Sequence, residues 1–469
     1  MKPTGVRPAA PLVPGAVHRV EIAGRDDHGR GVADLSHRDL RVANALPGEV
    51  LEVRLAHVGR RHAVGQIERV VRASPDRVPD VCPHGEVCPG CGLRTTATGR
   101  RRTSKRDRVV HALASVGLSR APVADTVPAP AEDGWRYKAY LTARRTRRGL
   151  FLGLFEEHSH RLLGIEGCLA HAPAVERALA GVRHALRQAD PPTYDERSGL
   201  GWLRYVSVRA SHATGEALVL LVVKDRRFAG DRALAADIRA RLPHVAGVVL
   251  NVHETPGNAP MGAEFVTLEG ADAIEEQSGP FRLRVAAGSF FQVNPVMGAR
   301  IHDDVARIAS TAQAGPALDL YGGVGATALR LATAGRRVTL VESPGPAALD
   351  ALHNVRMWDA ARERAGESGS GAVRVRPGRV EDELPRVLDD APTVVVANPP
   401  RSGLAPAVID GVARSGATLL AYVSCEPRTL ARDAVTLEAC GFRLESVTPY
   451  DLMPQTPHVE VLAAFRRAP

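Results

Sequence analysis

From residue 281 onward the sequence alternates short apolar runs with amphipathic stretches, and this alternation restricts the fold more than any other feature. The runs are PALDL (316 to 320), RVTLVE (337 to 342), residues 372 to 376, TVVVA (393 to 397) and ATLLAYVS (417 to 424). Strands separated by helices cannot pair as hairpins. They pair in parallel through crossovers, which puts helices on both faces of one sheet. Two late runs, FRLESVTPYD and VEVLAAF, predict a doubly wound sheet of seven strands. In such a sheet ligands bind beyond the carboxyl ends of the strands, so the residues just after each run are the ones to inspect. AGESGSGA at 365 to 372 reads as a flexible surface loop.

Upstream the pattern differs. Residues 1 to 15 read as a disordered lead-in. Residues 16 to 75 hold five short alternating runs, HRVEIAG, GRGVADL, DLRVANAL, EVLEVRLAHVG and HAVGQIERVV, split by Gly, Asp and Pro-Gly turns. That spacing predicts a small closed OB-like β-barrel, with another small β-domain as the alternative. Residues 76 to 280 begin with a cysteine segment, a helix with RRTSKRDRVVHALASVG and the linker APVADTVPAPAED. Strand signals follow (YKAYLTARRT, GLFLGLFEE, LRYVSVRAS, EALVLLVVK, VAGVVLNVHE), with helices at 173 to 189 and near 231 to 241. This is a central α+β domain, and residues 281 to 469 form the α/β domain.

The chain carries a net charge of +9, almost all of its positive charge being arginine. A basic surface suits a nucleic-acid partner, because it displaces counterions from phosphates; a codon bias toward Arg accounts for it equally well. No apolar run approaches a membrane span and no signal-peptide core is present, so the protein is expected to be cytoplasmic, without a membrane partner, and to act as a monomer.

Four segments end strands of the α/β domain on chemically useful residues. DLYGGVGATALRLA is a strand, a glycine-rich turn and a helix, in which Gly322, Gly323 and Gly325 let a ligand approach the backbone. The next strand ends at Glu342, placed to accept from a ribose diol; a structural turn with a surface Glu is the plain alternative. The fourth ends in ANPPRSGL, with Asn398 at the mouth and prolines stiffening the loop. The fifth ends at Ser424-Cys425, and Pro427 suits the first turn of a helix. A thiol near a helix N-terminus is expected to have a lowered pKa, whereas Cys440 reads as a small buried hydrophobe. Glu460, at the start of the last strand, is the candidate general base beside Cys425, with His458 as runner-up.

SCEPRTLARD, NPPRSGL, DLYGGVG, SFFQVN and HVEVLAAF, in chain order, resemble the RNA uridine-C5 methyltransferases, and GRGVA with ALPGEVLEV resembles their TRAM RNA-binding domain. The resemblance runs from about residue 16 to 467. It implies a Rossmann-like class I methyltransferase domain that uses S-adenosylmethionine, with Cys425 as nucleophile and Glu460 as general base. It also implies donor contacts from Gln292, Tyr321, Glu342 and Asn398. The chemistry needs these two groups because uracil carbon 5 is a poor nucleophile. Adding a thiolate at carbon 6 makes an enolate that attacks the methyl group, after which a base removes the carbon-5 proton. The chain departs from the family where Asn398 replaces the usual Asp, Gly322 a frequent Cys, and Ala326 an Asn.

Cys82, Cys88 and Cys91 have five then two intervening residues, and Cys168 follows later. Four thiolates suit a cubane cluster or tetrahedral zinc, with His84 able to replace one Cys; a disulfide is the remaining option. The resemblance implies a [4Fe-4S] cluster on these four cysteines and a ribosomal RNA target, transfer RNA being the alternative. The barrel, RRTSKRDR, ARRTRRG and Arg136-Tyr137-Lys138 are expected to meet RNA, and Phe290 or Phe291 to stack on an unpaired base. Two rivals are a radical methylthiotransferase, whose cysteine triplet is spaced differently, and a non-catalytic RNA-binding protein that keeps the fold.

Overall fold

The computed structural model describes residues 12 to 467 except 86, 148, 157 to 160, 256, 258, 259 and 367 to 370. The expected lead-in therefore falls mostly outside the described residues, as does the middle of the 365 to 372 loop. The chain divides into two compact units, Met1–Ser104 with Gln455–Pro457, and Lys105–Pro454 with His458–Pro469. No helix among the described residues is long and apolar enough to cross a membrane.

The first unit is a curled sheet of six strands. In chain order they are Val17–Glu21, Gly24–Arg25, Gly31–Asp34, Asp39–Val42, Val50–Val58 and His62–Arg72. Their spatial order is first, fifth, sixth, fourth, third, second, which leaves Val17–Glu21 and Gly24–Arg25 as edges. The described pairing is thus a half-barrel rather than the expected closed barrel. Register shifts along the long fifth–sixth pair bend the strands and increase their twist. The concave side holds Ile22, Leu40, Val42, Leu51, Val53 and Leu55. Gly31 permits this curl, since a Cβ there would lie 2.6 Å from that of Ala45. The strand absent from the sequence reading is Gly24–Arg25. It is too short and polar to show a period, and it forms because the Asp26 carboxylate accepts from His28 N, Arg30 N and Arg30 Nε, closing a tight turn.

The second unit contains two seven-stranded sheets. The upstream one runs, across the sheet, Glu264–Gly270, Val245–Val252, Ala217–Val223, Leu203–Ala210, Lys138–Thr146, Gly149–Phe155 and Leu162–Leu163. Helices Pro173–Ala189 and Asp231–Arg241 appear where the amphipathic pattern placed them. A hairpin, Ala273–Ser278 with Phe281–Ala286, follows; its charged outer positions concealed both strands in the sequence.

The downstream sheet has strands Ala317–Leu320, Arg337–Glu342, Ala372–Pro377, Val394–Ala397, Leu419–Ser424, Phe442–Tyr450 and Glu460–Arg467. Their spatial order is third, second, first, fourth, fifth, seventh, sixth. The first five are parallel, and the seventh lies antiparallel between the fifth and sixth. The core strands are buried on both faces, which is why they read as continuous apolar runs. Leu318, Leu320, Val395 and Leu420 face one core, Ala317, Val394, Val396 and Ala421 the other. Each buried Leu or Val contributes about 1.5–3 kcal/mol. Polar ties then set the loops at the carboxyl edge. Asp433 accepts from the buried Tyr422 hydroxyl at 2.8 Å and from Leu404 N at 2.8 Å, fixing the loop after Asn398 to the fifth strand.

Candidate active site

The thiol end of the site is built at the last residues of the fifth strand. Ser424 ends that strand, and helix Pro427–Ala439 starts three residues later. The Ser424 hydroxyl accepts from Glu426 N at 3.2 Å, and the Glu426 carboxylate caps the helix by accepting from Arg428 N at 3.3 Å. These bonds hold Cys425 in a short turn. Ser424 lies opposite Val461 in the antiparallel ladder, so the next step sets Glu460 against Cys425. Glu460 is only 5% exposed and near enough to act on the Cys425 thiol.

Burial, then the neighbouring Glu460, raises the Cys425 thiol, while Arg401 pulls it down. The expected lowering by the helix N-terminus is therefore overcome by desolvation and a nearby carboxylate. Burial pushes Glu460 up to about 7, again against the pull of Arg401. A carboxylate near neutrality suits a group that must take up and release a proton. His458 is pulled down to about 4 by burial and by the cations Arg401, Arg108, Lys105 and Arg136, which makes it a poor base beside Glu460. Arg401, in the loop after the fourth strand, is the group that sequence reasoning passed over. It acts on Cys425, Glu460 and His458 alike. Its signal was present in NPPR, but a motif arginine carries no indication of which partners it meets.

The other end of the site surrounds the first strand. Tyr321 has φ 60°, and Gly323 and Gly325 have φ 56° and 93°, so the turn is left-handed where glycine is favoured. Glu342 Oε2 accepts from Gly323 N at 2.9 Å, and Asn398 N donates to Leu320 O at 3.2 Å. Tyr321, Glu342 and Asn398 are thereby gathered around one strand end. Asp319 adds a fourth group. It is buried, its Oδ2 has no hydrogen-bond partner, and burial followed by Glu342 pushes it up to about 7.

Gln292 belongs to the loop before helix Pro295–Ala309, and a Cβ on Gly298 would lie 2.8 Å from its own Cβ. That loop is anchored at both ends. Ser289 donates to Asp350 at 2.5 Å, and Asn294 caps the helix through Met297 N at 3.3 Å. Phe291 packs with Val324 and Ala326 of the glycine-rich turn and the helix after it, which brings the Gln292 loop against that turn. Phe291 is thus core, whereas Phe290 is 63% exposed.

The cysteines expected to hold a cluster are divided. Cys82, Cys88 and Cys91 belong to the first unit, Cys168 to the second. Among the described residues no three or more His, Cys, Asp or Glu side chains gather as a metal-ion site. The loop does present sulfur as an acceptor, since Gly90 N lies 3.5 Å from Cys88 Sγ, and Cys82 is near enough to act on Cys88.

Comparison with known proteins bears on the family and the fold. Residues 271–467 match the family model described as tRNA (Uracil-5-)-methyltransferase. The chain is 33% identical over 467 residues to an uncharacterised RNA methyltransferase of Gloeobacter violaceus, covering 98% of this chain and 99% of that protein. It is 32% identical over 453 residues to another from Geobacter sulfurreducens, covering 96% and 90%. Its fold resembles the crystal structure of Pyrococcus abyssi tRNA (uracil-54, C5)-methyltransferase in complex with S-adenosyl-L-homocysteine. There the TM-score is 0.72 at 23% identity, over 95% of this chain and 99% of that one. The chain belongs to the family of S-adenosylmethionine-dependent RNA (uracil-5-)-methyltransferases.

Proposed function

We propose that this chain methylates carbon 5 of a uridine in ribosomal RNA, with Cys425 as nucleophile and Glu460 as base. The observation that supports the residue assignment is the antiparallel register that pairs Ser424 with Val461, the neighbours of Cys425 and Glu460. The Cys425 thiolate adds to carbon 6, and the ring electrons move onto the carbon-4 oxygen. Carbon 5 then bonds to the methyl carbon as its bond to sulfur breaks, releasing S-adenosylhomocysteine. Glu460 takes the carbon-5 proton, the double bond re-forms, and Cys425 leaves. Arg401 favours the thiolate over the thiol and keeps Glu460 from remaining protonated throughout. Gln292, Tyr321, Glu342 and Asn398 hold the donor. The exposed ring of Phe290 supports the uracil once it has left its stack.

The curled sheet of the first unit serves as the RNA-binding TRAM domain in this reading, and residues 76 to 280 as the central domain. Cys82, Cys88, Cys91 and Cys168 hold a [4Fe-4S] cluster. The supporting observations are three sulfurs within one short loop and a backbone N–H directed at one of them. The cluster's role is to fix chain segments, and no step of the methyl transfer uses it.

Purified protein with methyl-tritiated donor is expected to label uridine in unmodified 23S ribosomal RNA and to leave transfer RNA unlabelled. Label in transfer RNA alone would move the target, and label in neither would make this an RNA-binding protein without activity. Protein purified without oxygen should contain iron and sulfide in equal amounts; zinc without iron would refute the cluster.

A further inference from the structure

One ion pair shapes the cysteine segment of the first unit. Arg94 Nε donates to Asp80 Oδ2 at 2.5 Å. The other carboxylate oxygen, Asp80 Oδ1, accepts from Cys82 N at 3.0 Å, and Arg94 Nη1 donates to Cys91 O at 3.1 Å. The pair therefore joins the first and last cysteines of the segment through their backbones. The chain between them passes close to it. A Cβ on Gly85 would overlap Asp80 Oδ2 and lie 2.9 Å from Arg94 Nε, so only glycine fits there. Asn44 Nδ2 fixes the same turn by donating to Gly85 O at 3.0 Å. The Arg94 side chain is 5% exposed and that of Asp80 25%. Cys88 belongs to this loop, and the Gly90 N–H, Cys82 and Arg94 all act on its thiol.

The third guanidinium nitrogen, Arg94 Nη2, is buried and has no hydrogen-bond partner among the described residues. A buried N–H without an acceptor is costly, and the acceptors bound by Nε and Nη1 do not reach it. The groups of this loop that change when a metal binds are its sulfurs. A thiol is a weak acceptor, whereas ligation ionises it to a thiolate, which accepts strongly. We propose that Arg94 and Asp80 are the positioning residues of the cysteine site. The pair sets Cys82 and Cys91 for ligation, and Arg94 Nη2 donates to the Cys88 sulfur once that sulfur is a bound thiolate. Gly90 N, already 3.5 Å from Cys88 Sγ, is the second donor to it. N–H groups and a cation beside ligating sulfur favour the reduced, more negative state of an iron–sulfur centre. This rests on the [4Fe-4S] reading above and extends it to residues outside the four cysteines.

The test uses the full chain purified without oxygen, as wild type and as Arg94→Gln, Arg94→Lys and Asp80→Asn. After iron is removed, cobalt(II) is titrated in and the thiolate-to-cobalt absorption is read. Arg94→Gln is expected to bind cobalt about 10–100-fold more weakly. Arg94→Lys should recover little of this, because one ammonium cannot hold Asp80 and Cys91 O in a fork. In the iron-loaded protein the reduction potential should move in opposite directions. It becomes more negative in Arg94→Gln, which removes a cation, and more positive in Asp80→Asn, which removes an anion. A pair that only braces the loop would move both the same way, and that result overturns the proposal. Equal cobalt affinity and an unmoved potential in Arg94→Gln also overturn it, leave Nη2 to an internal water, and leave the cluster reading intact. So does a metal-free Tm lowered by several degrees with cobalt affinity unchanged. Wild-type protein that takes up neither iron nor thiolate-bound cobalt overturns the cluster reading itself. If Arg94→Gln fails to fold, Asp80→Asn is put through the same cobalt titration with the same expected loss.

Discussion

Glu460 and Asp319 are both buried carboxyl groups at one edge of one sheet, and both are pushed up to about 7. Asp319 stands on the first strand and Glu460 on the seventh, with the fourth and fifth strands between, hence about 14 Å apart. Their surroundings are opposite. Glu460 has Arg401 beside it, and Arg108, Lys105 and Arg136 act on His458 nearby. Asp319 has Glu342 beside it, and Tyr321, two residues on, meets Glu381 and Asp433 with Arg379 as the opposing cation. In the reading proposed above, cations gather on the acceptor side, and carboxylates outnumber Arg379 on the donor side. That division suits a reaction that brings a polyanion to one side and a sulfonium cation to the other, and it keeps each substrate from the wrong half.

The acceptor half should fail first and most completely. Cys425→Ala is expected to abolish methyl transfer. Glu460→Gln should allow one transfer and then stall, lowering turnover on the order of 10²–10⁴-fold. The trapped species is a protein–RNA adduct that survives denaturing electrophoresis and disappears in the double variant. Full turnover in Cys425→Ala would remove the basis for treating this half as the site of chemistry.

Arg401 tests whether the cationic character matters or merely surrounds the nucleophile. Arg401→Ala is expected to slow transfer about 10–100-fold and to shift the alkaline rise of the rate to higher pH, because the pull that favours thiolate is lost. Arg401→Lys should restore part of the rate. A loss with an unmoved pH profile would make Arg401 a structural residue of its loop.

Both carboxyl groups also make a prediction for the ligand-free protein. Their folded pKa values lie above the ordinary carboxylate range, so between about pH 4 and pH 7 the folded state binds more protons than the unfolded. Stability from each is present below that window and lost as pH rises through it. Asp319→Asn and Glu460→Gln should each raise stability at pH 8 by about 2 kcal/mol and flatten its fall between pH 4 and 7, measured by denaturant unfolding. If only Asp319→Asn does so, Arg401 neutralises Glu460 more fully than its burial suggests, and the contrast between the halves grows.

How much of this was readable in the sequence depends on the range of the interactions. Four of the five parallel strands of the downstream sheet were visible because burial forces apolar runs, such as LLAYVS at 419 to 424, while the edge strand Ala372–Pro377 showed as alternation. The placement of Cys425 and Glu460 near one another followed from the sheet's expected order. Local pattern could not show what depends on distant partners. Gly24–Arg25 exists through a turn made by Asp26, and Glu264–Gly270 and the hairpin after it carry charges on their open faces. The raised thiol of Cys425 required knowing how deeply it is buried. The pairing of Lys138 with Arg209 in the upstream sheet required a register between strands some sixty-five residues apart, which no spacing within either strand encodes.

Asn398 gives the smallest and most discriminating test of the comparison. It stands next to the end of the first strand, on the side proposed for the donor, with an amide where the resemblance leads one to expect a carboxylate. Asn398→Asp adds a negative charge to the half that already holds Asp319 and Glu342. Two outcomes oppose each other physically. Attraction to the sulfonium favours tighter donor binding, and repulsion from two nearby carboxyl groups favours protonation of the new one. In a half-buried, solvent-reached position the first effect should win modestly, giving about threefold tighter S-adenosylmethionine by calorimetry. S-adenosylhomocysteine, which lacks the sulfonium charge, should gain nothing. A gain shared equally by both ligands would show that the new carboxylate acts through hydrogen bonding alone. A loss for both would show that the donor half already holds as much negative charge as it can, and that Asn398 keeps it below that limit.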